Sequence, residues 1–212
     1  MSGSIVYWFN SFLNKVGRDK AMLLMHTNPK DENGQDLEAI AKDLGMNSDE
    51  ILFSNNKLNF DQLAALYNMV DCTINISDAE GFGMATMESI CCGTPIIVNM
   101  TGGLQEQVTD GKKWFGIGIE PASKAVIGSQ QVPYIYEDRV SKEDFIAALE
   151  KIHNMTREQR KELGRKGRAN VEKSFNFEQF GKTWDRIMTD FHTKFGSWEN
   201  RKNYKSWELK EY

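Results

Sequence analysis

Cysteine is scarce in this chain, and neither a long apolar run nor an excess of positive charge accompanies it. Three cysteines occur in 212 residues. Cys72, Cys91 and Cys92 lie in apolar strand or helix contexts, adjacent Cys91 and Cys92 fall on different helix faces, and no zinc-ligand spacing is present. They read as reduced, buried small hydrophobes of a cytoplasmic protein, not as a disulfide framework. No stretch approaches the ~20 apolar residues of a membrane span. The opening Met-Ser-Gly-Ser lacks the cationic start and apolar core of a signal peptide. A formal net charge of −4 argues against a nucleic-acid surface, which needs a clustered basic face.

What is present is an alternation of short elements. Val6, Phe9, Phe12, Leu13 and Val16 recur at helical spacing up to Gly17, although residues 5–9 also read as a strand. Residues 21–26 form a buried apolar run, and a polar loop leads to a helix through Leu37, Ile40, Ala41 and Leu44, stopped by Gly45. A short strand over 51–53 precedes a helix to Met69, whose start is marked by Asn59 and Gln62. Next come a strand over 72–76, a helix from about Gly83 and a strand over 95–99. This βαβα rhythm predicts an α/β fold with a parallel sheet flanked by helices. Farther on, the pattern predicts a short helix over 105–108, a strand over 115–119 and another over 132–136 after a Gly128-Ser129 turn. Capped helices follow at Ser141 with Asp144, Thr156 with Gln159, and Asn176 with Gln179, so the last third is helical. Trp184, Ile187, Met188, Phe191 and Phe195 make an apolar stripe expected to pack in the core.

The most informative stretch is Glu80-Gly81-Phe82-Gly83-Met84-Ala85-Thr86-Met87-Glu88. It follows a strand and opens a helix, and open parallel sheets bind ligands at the carboxyl ends of their strands. Gly81 and Gly83 allow close backbone approach, and the free N–H groups of a helix's first turn carry about half a positive charge, which suits a diphosphate. Glu88 repels phosphate and matches vicinal sugar hydroxyls instead, since a carboxylate accepts several charge-assisted hydrogen bonds. Downstream, Thr101-Gly102-Gly103 follows the next strand; its glycines either let the backbone approach a ligand or make a plain turn.

Together with the intervening Cys92-Gly93-Thr94-Pro95, these residues resemble the donor-nucleotide domain of a retaining glycosyltransferase with the GT-B fold, of the large group 1 or family-four type. The resemblance implies a Rossmann-like half of that fold over 1–195, with 196–212 a polar tail or crossover helix carrying Trp198, Tyr204 and Trp207. It implies that Glu88 holds the ribose hydroxyls and that Glu80 contacts the transferred sugar as the catalytic carboxylate. Gly81, Phe82, Gly83, Met84 and Ala85 would face sugar and diphosphate through their backbone, Thr101, Gly102 and Gly103 would border the donor, and Ser54 and Asn55 would lie near the base. The ligand is then a nucleoside-diphosphate sugar, with no cofactor. Asp78-Ala79-Glu80 looks like the acidic metal motif of the other glycosyltransferase fold, but the Gly-Phe-Gly turn and helix favour metal-free binding.

The resemblance covers only the second of two domains. The acceptor-binding domain is expected in cis or in trans, and any membrane association would come through it. An isolated chain would then be inactive or incomplete, or a non-catalytic nucleotide-sugar-binding module. The Arg and Lys that such enzymes direct at the diphosphate have no clear match, because Arg18 and Lys20 stand just before a strand and Lys15 is a weak substitute. His26, ending a strand, reads as a core or loop-tethering residue and not a catalytic one.

Overall fold

Helical spacing wins over strand spacing at the start of the chain, because a helix turns Val6, Phe9, Phe12 and Leu13 to one side whereas a strand would split them. All four are buried in α1 (Ser2–Val16). The computed structural model describes residues 1–202, so Tyr204 and Trp207 lie outside the described residues. Two compact units are present, Met1–Ala169 and Asn170 onward.

In the first unit, β1 (Leu23–His26) and β2 (Ile51–Ser54) pair in parallel, with α2 (Leu37–Asp43) between them in sequence. A second parallel ladder runs in the order β3 (Thr73–Asn75), β4 (Ile96–Asn99), β5 (Ile117–Ile119). Its connections carry α4 (Met84–Cys91) and α5 (Leu104–Val108), while α3 (Phe60–Met69) leads into β3. Every residue of the central strand β4 is buried, as expected of a strand covered on both faces. One apolar core joins α1, both ladders and α6 (Lys142–His153) through residues such as Phe9, Ile97, Ile117 and Phe145.

The predicted helix starts are built by the predicted caps. Asn59 and Gln62 exchange side-chain and backbone hydrogen bonds at 2.9 and 3.0 Å, as do Thr156 and Gln159 ahead of α7 (Arg157–Ser174) at 2.8 and 3.2 Å. Ser141 accepts from the Asp144 N–H, and Asn176 accepts from Gln179 at the start of α8 (Phe177–Phe195). Each such cap is worth about 1 kcal/mol.

Three expectations are corrected. Residues 123–139 form an antiparallel hairpin, β6 (Ser123–Ile127) with β7 (Ile135–Arg139), where one strand over 132–136 was expected. Both faces of β6 are largely exposed, so no alternation of polarity marks it in the sequence. The α8 stripe is not core: Trp184 is 49% and Phe191 62% exposed, and no residue of α8 is buried. Its period is that of an amphipathic helix, which identifies an apolar face but not what covers it. Cys91 is likewise exposed, and only Cys72 and Cys92 are partly covered.

Two features hold the first unit in register. Glu50, a buried carboxylate just before β2, is gripped by the Arg18 guanidinium through Nε and Nη2 and by the Asn47 N–H at 2.9 Å. Arg18 also donates to Asn10 at 3.1 Å, linking α1 to the β2 approach. The Arg18 hydrogen bonds, then the Asn47 N–H, hold the Glu50 carboxyl below its usual range in spite of burial. The second feature is the contact of two loops. The Gly103 N–H donates to Gly81 O at 3.0 Å. A Cβ at Gly103 would stand 2.5 Å from that oxygen, and one at Gly102 would stand 1.8 Å from Glu80 O. Only bare backbone fits there.

Gly103→Ala therefore lowers stability by about 1–3 kcal/mol through overpacking, read as a fall in thermal midpoint. Gly34→Ala, whose added carbon would meet nothing nearer than 3.6 Å, leaves the midpoint in place. Equal behaviour of the two variants refutes the docking of the loops. For Glu50 the unfolded chain binds the proton more readily than the folded one. The pair's contribution is thus complete above the ordinary carboxylate value of about 4.3 and is lost as pH falls through the lowered folded value. Melts of Glu50→Gln start lower at neutral pH and fall less on acidification than those of the parent chain.

Candidate functional site

The end of β3 and the start of α4 are fastened by side chains that the sequence reading did not single out. Asn75 donates to Thr86 Oγ1 at 3.0 Å and accepts from the Ser77 N–H and hydroxyl at 3.1 and 2.9 Å. Thr86 is fully buried in the first turn of α4, so this network pins the helix start to the strand. Gly83 caps the helix with a left-handed φ of 79°. A Cβ at Gly83 would also lie 2.4 Å from Leu104, so the position demands glycine for conformation and for space alike.

With Gly83 O accepting from Thr86 and Met87 at 3.1 and 3.2 Å, the N–H groups of Met84 and Ala85 are the first-turn donors left without an intrahelical partner. Both residues are exposed. The carbonyl of Phe82 accepts from Gln107, a fully buried side chain of α5, which holds the turn in place.

The two acids flank this helix start. Glu80 is half-buried, and among the described residues its carboxylate has no hydrogen-bond or ion-pair partner. Glu88, about one turn into α4, is also half-buried, and its Oε2 accepts the Tyr67 hydroxyl at 2.9 Å. Burial first, then the Glu88 hydrogen bond and charge, push the Tyr67 phenol well above its ordinary range, so it stays a donor at any physiological pH. One carboxylate oxygen is therefore held while the other remains for a ligand.

The loop after β4 is joined to this assembly by Gly102 and Gly103, as described above. Thr101 does not present itself to a ligand: it is 4% exposed and its hydroxyl donates to Asp138 Oδ2 at 2.8 Å. Asp138 belongs to β7, and its backbone N–H donates to Asp78 O at 2.7 Å. Fully buried Asn99 spans Ser77 O and Asp138 O at 2.8 and 2.6 Å. Beside these residues a cleft of about 380 Å³ opens between the first turns of α1 and residues 74–79, with Glu137 at its rim. Burial, the chief influence, raises the pKa of Asp78 in its wall.

Ser54 and Asn55 stand at the end of the other ladder, where Ser54 Oγ pairs with His26 Nδ1 at 3.1 Å. This tethers the β1 and β2 ends, and His26 is exposed, so of the two parts expected of it the core one does not hold. The early cations serve the scaffold. Lys15 pairs with Glu150 at 2.6 Å, Lys20 with Asp19 at 2.8 Å, and Arg18 with Glu50. Among the described residues no group of three or more His, Cys, Asp or Glu could hold a metal ion, and no helix is long and apolar enough to cross a membrane. Tyr67 was not foreseen, being 21 positions from its partner; Asn99 and Gln107 carry a weak signal as amides within apolar segments.

Comparison with known proteins bears on the family and the fold. The family described as "Glycosyl transferases group 1" matches residues 30–170. A D-inositol 3-phosphate glycosyltransferase of Acidothermus cellulolyticus is 37% identical over 90 residues, 42% of this chain and 20% of that protein. The chain thus matches only about a fifth of this relative's length. Sucrose-phosphate synthase from Thermosynechococcus elongatus shares the fold at a TM-score of 0.64 and 19% identity, over 90% of this chain and 44% of that one. The C-terminal domain of a group 1 glycosyl transferase from Francisella tularensis does so at 0.60 and 18%, over 83% and 80%. The chain belongs to the group 1 glycosyl transferases and has the fold of their C-terminal GT-B domain.

Proposed function

We propose that this domain binds a nucleoside-diphosphate sugar and presents it for retaining transfer to a hydroxyl acceptor. The observation that carries the reading is the start of α4: two exposed backbone donors, with one half-buried carboxylate just ahead and a second, steadied by Tyr67, one turn along. Glu88 accepts from the ribose hydroxyls through its open oxygen. Glu80 accepts from hydroxyls of the transferred sugar, and the N–H groups of Met84 and Ala85, with the turn at Phe82 and Gly83, face the diphosphate. The bond from the anomeric carbon to the diphosphate oxygen breaks, a bond to the acceptor oxygen forms on the same face, and the acceptor's hydroxyl proton passes to the departing diphosphate. The charge left on the diphosphate is met by fixed dipoles that need no reorganisation.

Transfer also needs a wall that holds the acceptor against the anomeric carbon, and a second domain, in the same chain or a partner, supplies it. A second reading, a nucleotide-sugar-binding subunit without turnover of its own, is favoured by one observation: Lys15, Arg18 and Lys20 are all engaged elsewhere. Release of nucleoside diphosphate from a nucleotide-sugar panel by this chain combined with an acceptor-binding domain supports the first reading, and release that stays at background in that combination supports the second.

Calorimetry tests the acids. Glu88→Gln weakens free nucleoside diphosphate and nucleotide sugar alike, by about 1.5–3 kcal/mol for a lost charge-assisted bond. Glu80→Gln weakens the sugar-bearing ligand alone. Equal losses for both ligands in both variants overturn the assignment.

Donor binding also survives a chelator, since backbone donors and a helix terminus meet the diphosphate. A strict need for magnesium or manganese in the same titration would instead make Asp78 and Glu80 metal ligands and discard this mechanism.

A further inference from the structure

The two parallel ladders of the first unit stop short of each other. Their orders are β1-β2 and β3-β4-β5, so the chain builds outward from β1 to β2, then starts again at β3 and builds outward to β5. A doubly wound sheet of order 3-2-1-4-5-6 reverses in the same way but carries one more strand at the reversal. Here β1 to β5 take every place except that one, and α1 stands ahead of β1 with no strand before it among the described residues.

The edges that border the gap are unpaired. Successive residues of a parallel strand turn their main-chain groups alternately to one neighbour and the other. The Leu23 N–H donates to Glu50 O and the Thr73 N–H to Pro95 O, each at 2.9 Å. The main-chain groups of Leu24 and His26, and of Ile74 and Ile76, therefore point into the gap, and among the described residues their N–H groups meet no acceptor. Ile76 is 1% exposed, so its N–H lacks water as well as a partner, a state that folded chains avoid. Along this edge runs the cleft noted above, with Ile74, Ile76 and Asp78 on one side and Met1 and Ile5 on the other. Asp78 Oδ1 is buried there without a hydrogen-bond partner.

We propose that the gap between β1 and β3 receives one extended strand of another polypeptide, apolar along its length and basic just past its carboxyl end. An extended segment is required because only a strand meets main-chain donors and acceptors on both of its sides at once. It has to be apolar because a strand covered on both faces is, and Val6 and Phe9 of α1 already share the core with Ile76. The basic end follows from the acids at the carboxyl end of β3. Glu137 is paired with Arg139, which leaves the bare oxygen of Asp78 to accept from an ammonium or guanidinium. With that residue beside Asp78, the strand runs parallel to β3. Residues 5–9, which also read as a strand, are not available, since Val6 and Phe9 are buried as part of α1.

Amide hydrogen exchange on the full chain tests the gap. In the free chain the Leu24 and Ile74 amides are expected to exchange faster than those of Leu23 and Thr73, and protection equal to theirs shows that the edges are already paired and overturns the proposal. The probe is an acetylated, amidated peptide, Ser-Val-Ile-Val-Val-Arg-Lys. It is expected to slow exchange at Leu24 and Ile74 about tenfold, while the same peptide with proline as its third residue, unable to donate there, has no effect. No slowing by the first peptide, or equal slowing by both, overturns the strand. A peptide ending in Glu-Glu binds more weakly than the basic one, and Asp78→Asn narrows the difference; equal binding of the two peptides to the parent chain overturns the basic end. Protection of Leu24 and Ile74 that grows with protein concentration without peptide, together with a doubled mass in sedimentation, assigns the gap to a second copy and overturns the proposed partner.

Discussion

The site depends on one steric condition: the loop after β4 must pass under the loop after β3 with nothing but main chain between them. Gly102 and Gly103 meet Glu80 and Gly81 at distances where a single added carbon would collide with a carbonyl oxygen. The position of Glu80 is consequently set by backbone packing between the ends of two adjacent parallel strands, a stiffer support than a side-chain contact. Gln107, Asn99 and Asp138 brace the same contact from three directions. Local geometry at Gly83 then aims α4, and the helix carries Glu88 to Tyr67.

Charge is divided in a consistent way. The cations closest to the start of the chain are spent on the scaffold, above all Arg18 on buried Glu50. The candidate site is furnished with neutral N–H donors and carboxylates. Such a site discriminates by direction: dipoles at the helix start favour an anion, while the acids on either side of it favour hydroxyls. A nucleotide sugar offers both in a fixed order, which simple phosphate does not.

Much of this arrangement was legible in the sequence, for physical reasons that differ by element. Helix starts at Asn59, Ser141, Thr156 and Asn176 were readable because a cap is a local interaction, complete within four residues. The Glu80–Glu88 stretch was readable because glycine positions and helix period alone place both acids around one turn. What escaped depends on distance or on surroundings. Tyr67 reaches Glu88 from another helix, and the Gly102-Gly103 pair left a ligand or a turn open because the loop it packs against is remote in sequence. The α8 stripe has the period of a core helix without a cover among the described residues. Strand β6 has no buried face to impose alternation, so nothing in its composition announces it.

The hairpin joins the rest of the unit at its base. Asp138 binds Asp78, Asn99 and Thr101, and the Ala122 N–H binds Arg139 O at 2.8 Å; the turn near Ser129 closes on itself through Ser129 and Val132. A peninsula anchored only at its root can drift in length and sequence over evolutionary time without disturbing the packed loops below. The outer turn is then free to vary between relatives while the packed loops beneath it are inherited unchanged.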